Sequence, residues 1–297
     1  MSNFSQNQKF TVDALFNVTD WVCVVTGGGT GIGLMIAQAF ANNGARVYIT
    51  GRRQDVLQQA VNSWGTSLVH QKGKIIGVPC DHTSKESIQA LVETISRQEK
   101  HVDVLVNNAG IATQTADVEK GEVAGKDLAK EMWQLTPDHW LDVYKTNVMG
   151  HYFTSAAFLP LLSAASSSRS EHTGTVINIS SISGITTNSQ HQFQHNVSKA
   201  ASIQLTTLLA QEFRRPGVSV RVNSIAPGVF PSEMTTSESD EHNKSSITSE
   251  RGYNEGIPAG RAGRDEDMAQ AALMLATNQY AYGQTIVIDG GYLLVHG

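Results

Sequence analysis

Short runs of apolar residues recur along the chain, separated by segments whose apolar positions repeat every three or four residues. The first run is Trp21-Val22-Cys23-Val24-Val25, followed by a glycine-rich turn and an apolar-periodic segment that continues to Phe40. Further runs occupy residues 46–50, 74–79, 103–106, 175–180, 219–226 and 284–289. Helical periodicity marks residues 84–97 and 197–214. In the second of these, Val197, Ala200, Ala201, Leu205, Leu208, Leu209 and Phe213 form a stripe interrupted by Gln204. Strands that are apolar throughout are covered on both faces, and strand–helix alternation supplies the cover. The pattern therefore predicts an α/β fold: a doubly wound, mostly parallel sheet of about seven strands, with helices on both faces. Such sheets bind ligands at the carboxyl ends of their strands. Two polar stretches, 112–136 and 232–263, break the rhythm and read either as binding loops or as solvated excursions.

Composition narrows the function. The net charge of −5 and scattered Lys and Arg provide no basic field for nucleic acid. No apolar run approaches the ~20 residues that span a bilayer, so no membrane partner is expected. Cys23 and Cys80 both lie in apolar runs, and no metal-ligand spacing occurs. This fits buried thiols in a reducing compartment, and a cytoplasmic location is expected. Residues 1–19 are polar and carry no hydrophobic signal core, so they read as an N-terminal extension to a single domain over 20–297.

The turn Thr26-Gly27-Gly28-Gly29-Thr30-Gly31-Ile32-Gly33 carries the first chemistry. Glycines allow close backbone approach, and a helix N-terminus offers free N–H groups and a positive dipole end. Together they form a seat for a pyrophosphate. About twenty residues on, where a carboxylate would hold a ribose hydroxyl, the chain reads Ile49-Thr50-Gly51-Arg52-Arg53. Guanidinium groups suit a phosphate. The spacing predicts NADP(H) over NAD(H); the competing reading is two surface arginines at a helix start.

With these residues in view, the chain resembles the short-chain dehydrogenase/reductase family over about residues 20–295. The supporting motifs are Thr26 to Gly33, Asn107-Asn108-Ala109-Gly110, Thr146-Asn147-Val148, Asn178-Ile179-Ser180-Ser181, Ala226-Pro227-Gly228 and Asp289-Gly290-Gly291. The resemblance implies a Rossmann-type fold. It also implies that Gly27, Thr30, Gly31, Ile32 and Gly33 line the pyrophosphate and that Asp81 meets the adenine. Asn108, Ala109 and Gly110 would pass beside the adenosine ribose. Pro227, Gly228 and Val229 would flank the nicotinamide, and Ser232 would reach its carboxamide. Lys199 would hold ribose hydroxyls.

In the family, catalysis uses Asn, Ser, Tyr and Lys. Asn147, Ser181 and Lys199 match these positions, and His195 stands where the tyrosine is expected. Spacing i, i+4 puts His195 and Lys199 on one helix face. The resemblance gives Ser181 the substrate carbonyl, Asn147 a water chain and Lys199 positive charge. Imidazole differs from phenol in reach and in acidity, because Lys⁺ depresses its pKa below an already low reference of ~6.5. Three functions follow as expectations. The first is an NADP(H)-dependent oxidoreductase acting on a small carbonyl or alcohol. The others are a non-redox cyclase, dehydratase or isomerase using His195, and a cofactor-binding protein without turnover. Tyr144, Tyr152 and His191 are alternative proton sources. Trp133, Phe230, Met234 and Tyr253 are candidates for apolar substrate contacts, and the family's habit implies a homodimer or homotetramer.

Overall fold

A computed structural model describes residues 7–113, 115–118, 124–248 and 256–297. Tyr253 lies outside these residues. Seven strands form one sheet: β1 (Val22–Thr26), β2 (Arg46–Gly51), β3 (Lys74–Pro79), β4 (Val104–Asn107), β5 (Thr175–Ile179), β6 (Arg221–Pro227) and β7 (Thr285–Ile288). Their order is β3-β2-β1-β4-β5-β6-β7, and every neighbouring pair is parallel. The chain thus leaves β3 and crosses over β1 to begin β4. That reversal of winding opens a crevice at the carboxyl ends of β1 and β4.

Alternation along the central strands divides the core in two. Cys23 and Val25 face α1 (Gly31–Asn42), α2 (Gln54–Trp64) and α8 (Asp265–Thr277). Val22 and Val24 face α3 (Lys85–Ser96), α6 (His151–Ala164) and α7 (Phe193–Phe213). All five residues of β1 are buried, as strands covered on both faces must be. At the end of the sheet away from the crevice, the Asp103 carboxylate accepts hydrogen bonds from the Val22 N–H (2.7 Å) and His172 Nε2 (2.8 Å).

Most elements fall where periodicity put them. α7 is the instructive exception, because it begins at Phe193 rather than 197. Its first turn, Phe193-Gln194-His195-Asn196, mixes polar and apolar residues, so the stripe is hidden there. The stretch 112–136 also holds a helix, α4 (Gly125–Trp133), which buries none of its residues. α5 (Pro137–Tyr144) follows, then a π-helical turn over Lys145–Gly150 that leads into α6. Two short helical turns, Gln8–Phe10 and Val12–Leu15, precede β1. Among the described residues, no helix is long and apolar enough to cross a membrane.

Candidate active site and cofactor cleft

A cavity of about 960 Å³ runs along the carboxyl ends of β1 to β6. One end is built by the glycine turn. Gly27 and Gly31 adopt left-handed backbone, with φ of 61° and 49°. A Cβ on Gly33 would stand 2.2 Å from the Gly27 carbonyl oxygen, and one on Gly31 would stand 2.9 Å from Ser232 Cβ. Here the glycines admit protein as well as any ligand. Their compactness points the start of α1 at the cavity, where the N–H groups of Gly31 and Ile32 have no helical partner; Gly33 packs behind them against Gly27 and Asn108 and is not in the cavity wall. Asn108 braces the turn by donating from Nδ2 to the carbonyls of Thr26 (2.9 Å) and Gly27 (3.0 Å). Thr26 Oγ1 accepts the N–H groups of Asn108 and Ala109. Asn108, Ala109 and Gly110 all line the cavity.

Beyond β2, Arg52 and Arg53 both reach the cavity wall, yet they are not equivalent. Arg53 forms a bidentate pair with Glu233, at 3.2 and 2.6 Å, whereas Arg52 makes no such pair among the described residues. Asp81 follows β3. Burial pushes its carboxyl up, but hydrogen bonds from the Thr83 N–H (2.9 Å) and hydroxyl (2.7 Å) outweigh this and hold it below the usual range.

Pro227, Gly228 and Val229 line the cavity where β6 ends. Ser232 lines it too, but its side chain also caps the one-turn helix Glu233–Thr236, with Oγ 3.2 Å from Thr235 Oγ1.

At the other end stand Ser181, His195 and Lys199. Ser181 Oγ accepts the Ser183 N–H at 3.1 Å, which leaves its own proton to donate. Lys199 Nζ donates to the Ile179 carbonyl at 2.9 Å, and burial lowers its pKa to about 8. His195 Nδ1 lies 3.3 Å from the Ile111 carbonyl oxygen. A carbonyl only accepts, so Nδ1 carries the proton and Nε2 is the bare, accepting nitrogen. Burial, then the Lys199 charge, depresses the His195 pKa to about 4. The ring is therefore neutral at pH 7.

Asn147 stands behind this group. It is wholly buried and does not line the cavity. Its Oδ1 accepts the Ile111 N–H at 2.8 Å, and its Nδ2 donates to the Ile111 carbonyl (3.0 Å) and to Ser198 Oγ (3.0 Å). It thereby fixes the same carbonyl that orients His195.

Tyr144 and Tyr152 are absent from the cavity wall, and Tyr152 is 46% exposed and packed on Phe153. Trp133 is also outside it, at 90% exposure, whereas Phe230 and Met234 are in the wall. His191 is in the wall and bonds the Ala116 carbonyl through Nδ1 (3.1 Å). One phenol escaped the sequence reading. Tyr292 lines the cavity, its hydroxyl accepting from Gln190 Nε2 at 3.4 Å, while Gln190 Oε1 accepts from Ser183 Oγ at 2.6 Å. Its position directly after Asp289-Gly290-Gly291 was the available signal. Two further buried histidines support the floor of the site. His151 Nε2 bonds the Ala109 carbonyl (3.0 Å) and His82 Nε2 bonds Thr50 Oγ1 (2.6 Å).

The donor set fits a phosphorylated dinucleotide. The α1 N-terminus would face a diphosphate, Arg52 offers a guanidinium, and Lys199 offers an ammonium group. A Cβ on Gly110 would come within 3.3 Å of Asn147 Oδ1 and 3.5 Å of Lys199 Nζ, so glycine keeps this floor clear. Among the described residues, no cluster of potential metal ligands occurs.

Comparison with known proteins places this geometry. The profile of the short chain dehydrogenase family matches residues 21–243. The short-chain dehydrogenase/reductase PhomF of Diaporthe leptostromiformis is 35% identical over 95% of this chain and 94% of its own length. A rhamnolipids biosynthesis 3-oxoacyl-[acyl-carrier-protein] reductase of Pseudomonas aeruginosa is 34% identical, over 94% and 98%. The solved Pseudomonas aeruginosa RhlG/NADP active-site complex superposes with a TM-score of 0.75 at 31% identity, covering 94% of this chain and 98% of that one. With this profile, these relatives and this sheet order, the chain belongs to the short-chain dehydrogenase/reductase family of oxidoreductases.

Proposed function

We propose that the protein is an NADP(H)-dependent oxidoreductase that passes hydride between the nicotinamide and a ketone or secondary alcohol. The observation that carries this reading is one continuous cavity with the α1 N-terminus and Arg52 at one end and Ser181, His195 and Lys199 at the other. Bound there, the nicotinamide supplies or accepts the hydride. Gly27, Thr30, Gly31, Ile32 and Gly33 would hold the diphosphate, and Arg52 the ribose phosphate. Asp81, Asn108, Ala109 and Gly110 would flank the adenosine half, and Pro227, Gly228, Val229 and Ser232 the nicotinamide half. Ser181 donates its free proton to the substrate oxygen and fixes its position. Lys199 adds positive charge beside that oxygen and a donor for ribose hydroxyls. Asn147 is a positioning residue acting through Ile111. Half-exposed Met149, Tyr152 and Val197 on the π-helical turn, α6 and α7 support assembly as a homodimer or homotetramer through those helices.

The test is incubation with NADPH and a ketone panel, following absorbance and product mass. Loss of NADPH absorbance with a product two mass units heavier is the expected result. A product of unchanged mass, or one lighter by a water, overturns it in favour of non-redox chemistry. Binding without turnover overturns it in favour of a cofactor-binding protein.

One observation favours a second reading. The bond from Nδ1 to Ile111 leaves His195 Nε2 as an acceptor. A neutral imidazole in that tautomer takes a proton from a substrate more readily than it gives one. This supports a base in a non-redox isomerisation or dehydration, and it equally supports the alcohol-oxidising direction of the first reading.

A further inference from the structure

Glu233 lies among groups that suit an anion. Its carboxylate takes both arms of the Arg53 guanidinium, at 3.2 and 2.6 Å. It also takes a hydrogen bond from the Thr30 side chain, at the start of α1, and one from Ser239 Oγ at 3.1 Å. Thr30, Arg52, Arg53 and Glu233 all line the cavity. Cys80, Asp81 and His82 complete that wall, and Asp81 is its other carboxylate among the described residues, so Glu233 adds a second negative charge beside a seat otherwise built for phosphate.

The segment that follows Glu233 is tied down. Asn243, only 3% exposed, donates from Nδ2 to the carbonyls of Gly29 (3.0 Å) and Val56 (2.9 Å). Trp64 Nε1 donates to the His242 carbonyl at 2.8 Å, and Lys244 pairs with Asp265. Residues 238–245 therefore form a strap fastened to the glycine turn, α2 and the start of α8. The strap directly follows the one-turn helix Glu233–Thr236 that carries the Glu233 side chain. The pair of Glu233 with Arg53 is 31% exposed on the glutamate and 56% on the arginine, and exposed pairs of this kind are weak.

We propose that Glu233 is an internal competitor for the cofactor's phosphates, and that NADP(H) binds by displacing its carboxylate from Arg53 and Thr30. The inference rests on the NADP(H) reading above. A carboxylate and a phosphate repel each other, so the two compete where they face one guanidinium. Once released, Arg53 joins Arg52 on the ribose phosphate. Glu233 thereby sets both the affinity and the 2′-phosphate selectivity of the cleft.

The test is fluorescence and calorimetric titration of wild type, Glu233→Gln and Glu233→Ala with NADPH, NADH and adenosine 2′,5′-bisphosphate. Both variants should bind NADPH and the bisphosphate about tenfold more tightly than wild type, with a smaller gain for NADH. Adding Arg53→Gln to Glu233→Gln should erase the gain. If wild type binds NADPH and neither variant binds it more tightly, the competitor is overturned and the cofactor reading stands. Weaker binding by both variants overturns it in favour of a glutamate that contacts the cofactor directly. If no protein binds NADPH or the bisphosphate, the cofactor reading fails and the competitor with it.

Discussion

Three buried histidines should make this protein acid-labile well above the range where carboxylates titrate. His82, His151 and His195 are 7%, 2% and 5% exposed. Burial is the largest cause in each case, lowering their pKa values to about 4, 3 and 4. In the unfolded chain each returns to ~6.5. Because the folded values are depressed, the unfolded chain binds more protons below pH 6.5, and stability falls as pH falls. Between pH 7 and 5.5 each group costs about 1.2 kcal/mol, or about 4 kcal/mol for the three together. That is a large share of a typical stability of about 5–15 kcal/mol. Carboxylates with depressed values, such as Asp103, act in the same direction but only below about pH 5. The assay is urea denaturation at half-unit pH steps, with uptake approaching three protons near pH 5.5. His195→Tyr removes one of the three, so the loss over that window should shrink to about 2.5 kcal/mol. A loss below about 1 kcal/mol in wild type, or an identical slope in the variant, would refute the buried neutral imidazoles.

Four further outcomes are expected. Wild type should favour NADPH over NADH by at least about tenfold, or ~1.4 kcal/mol, and Arg52→Ala should erase most of that gap while sparing NADH; equal starting affinities would sink the assignment. His195→Tyr should raise the ketone-reducing kcat by about 10²-fold if a missing phenol limits the reaction, and abolish turnover if Nε2 is the working base. In wild type, a rate that needs the Nε2 lone pair should hold from pH 5 to 7 and fall toward pH 4 as the ring protonates, while a rate that needs imidazolium should climb there; loss of the Lys199 charge near pH 8 should lower either on the alkaline side. Gly33→Ala must push a Cβ away from the Gly27 carbonyl, 2.2 Å off, so NADPH binding by the folded variant should drop at least about tenfold; unchanged binding would show that the turn has slack.

Much of this protein was legible in its sequence. Strands buried on both faces need continuous apolar runs, so Val22 to Val25 and the later runs announced a parallel sheet and its helical cover. The glycine turn was legible because few residue types tolerate the backbone of Gly27 and Gly31. The i, i+4 spacing put His195 and Lys199 together because helix geometry is local. Contacts between segments distant in the chain carry no such periodic mark. Tertiary structure alone paired Arg53 with Glu233, 180 residues away, and separated it from Arg52. It also brought the Ile111 carbonyl to His195, 84 residues away, and so chose the ring's tautomer. It joined Asn147 to the Ile111 backbone and brought Tyr292, rather than Tyr144 or Tyr152, to the wall. The sequence by itself determined the sheet and the glycine turn, since these follow from local backbone preference and hydrophobic period. Which nitrogen of His195 accepts a proton, and which arginine is available, depend on burial and hydrogen-bond partners that exist only once the chain has folded.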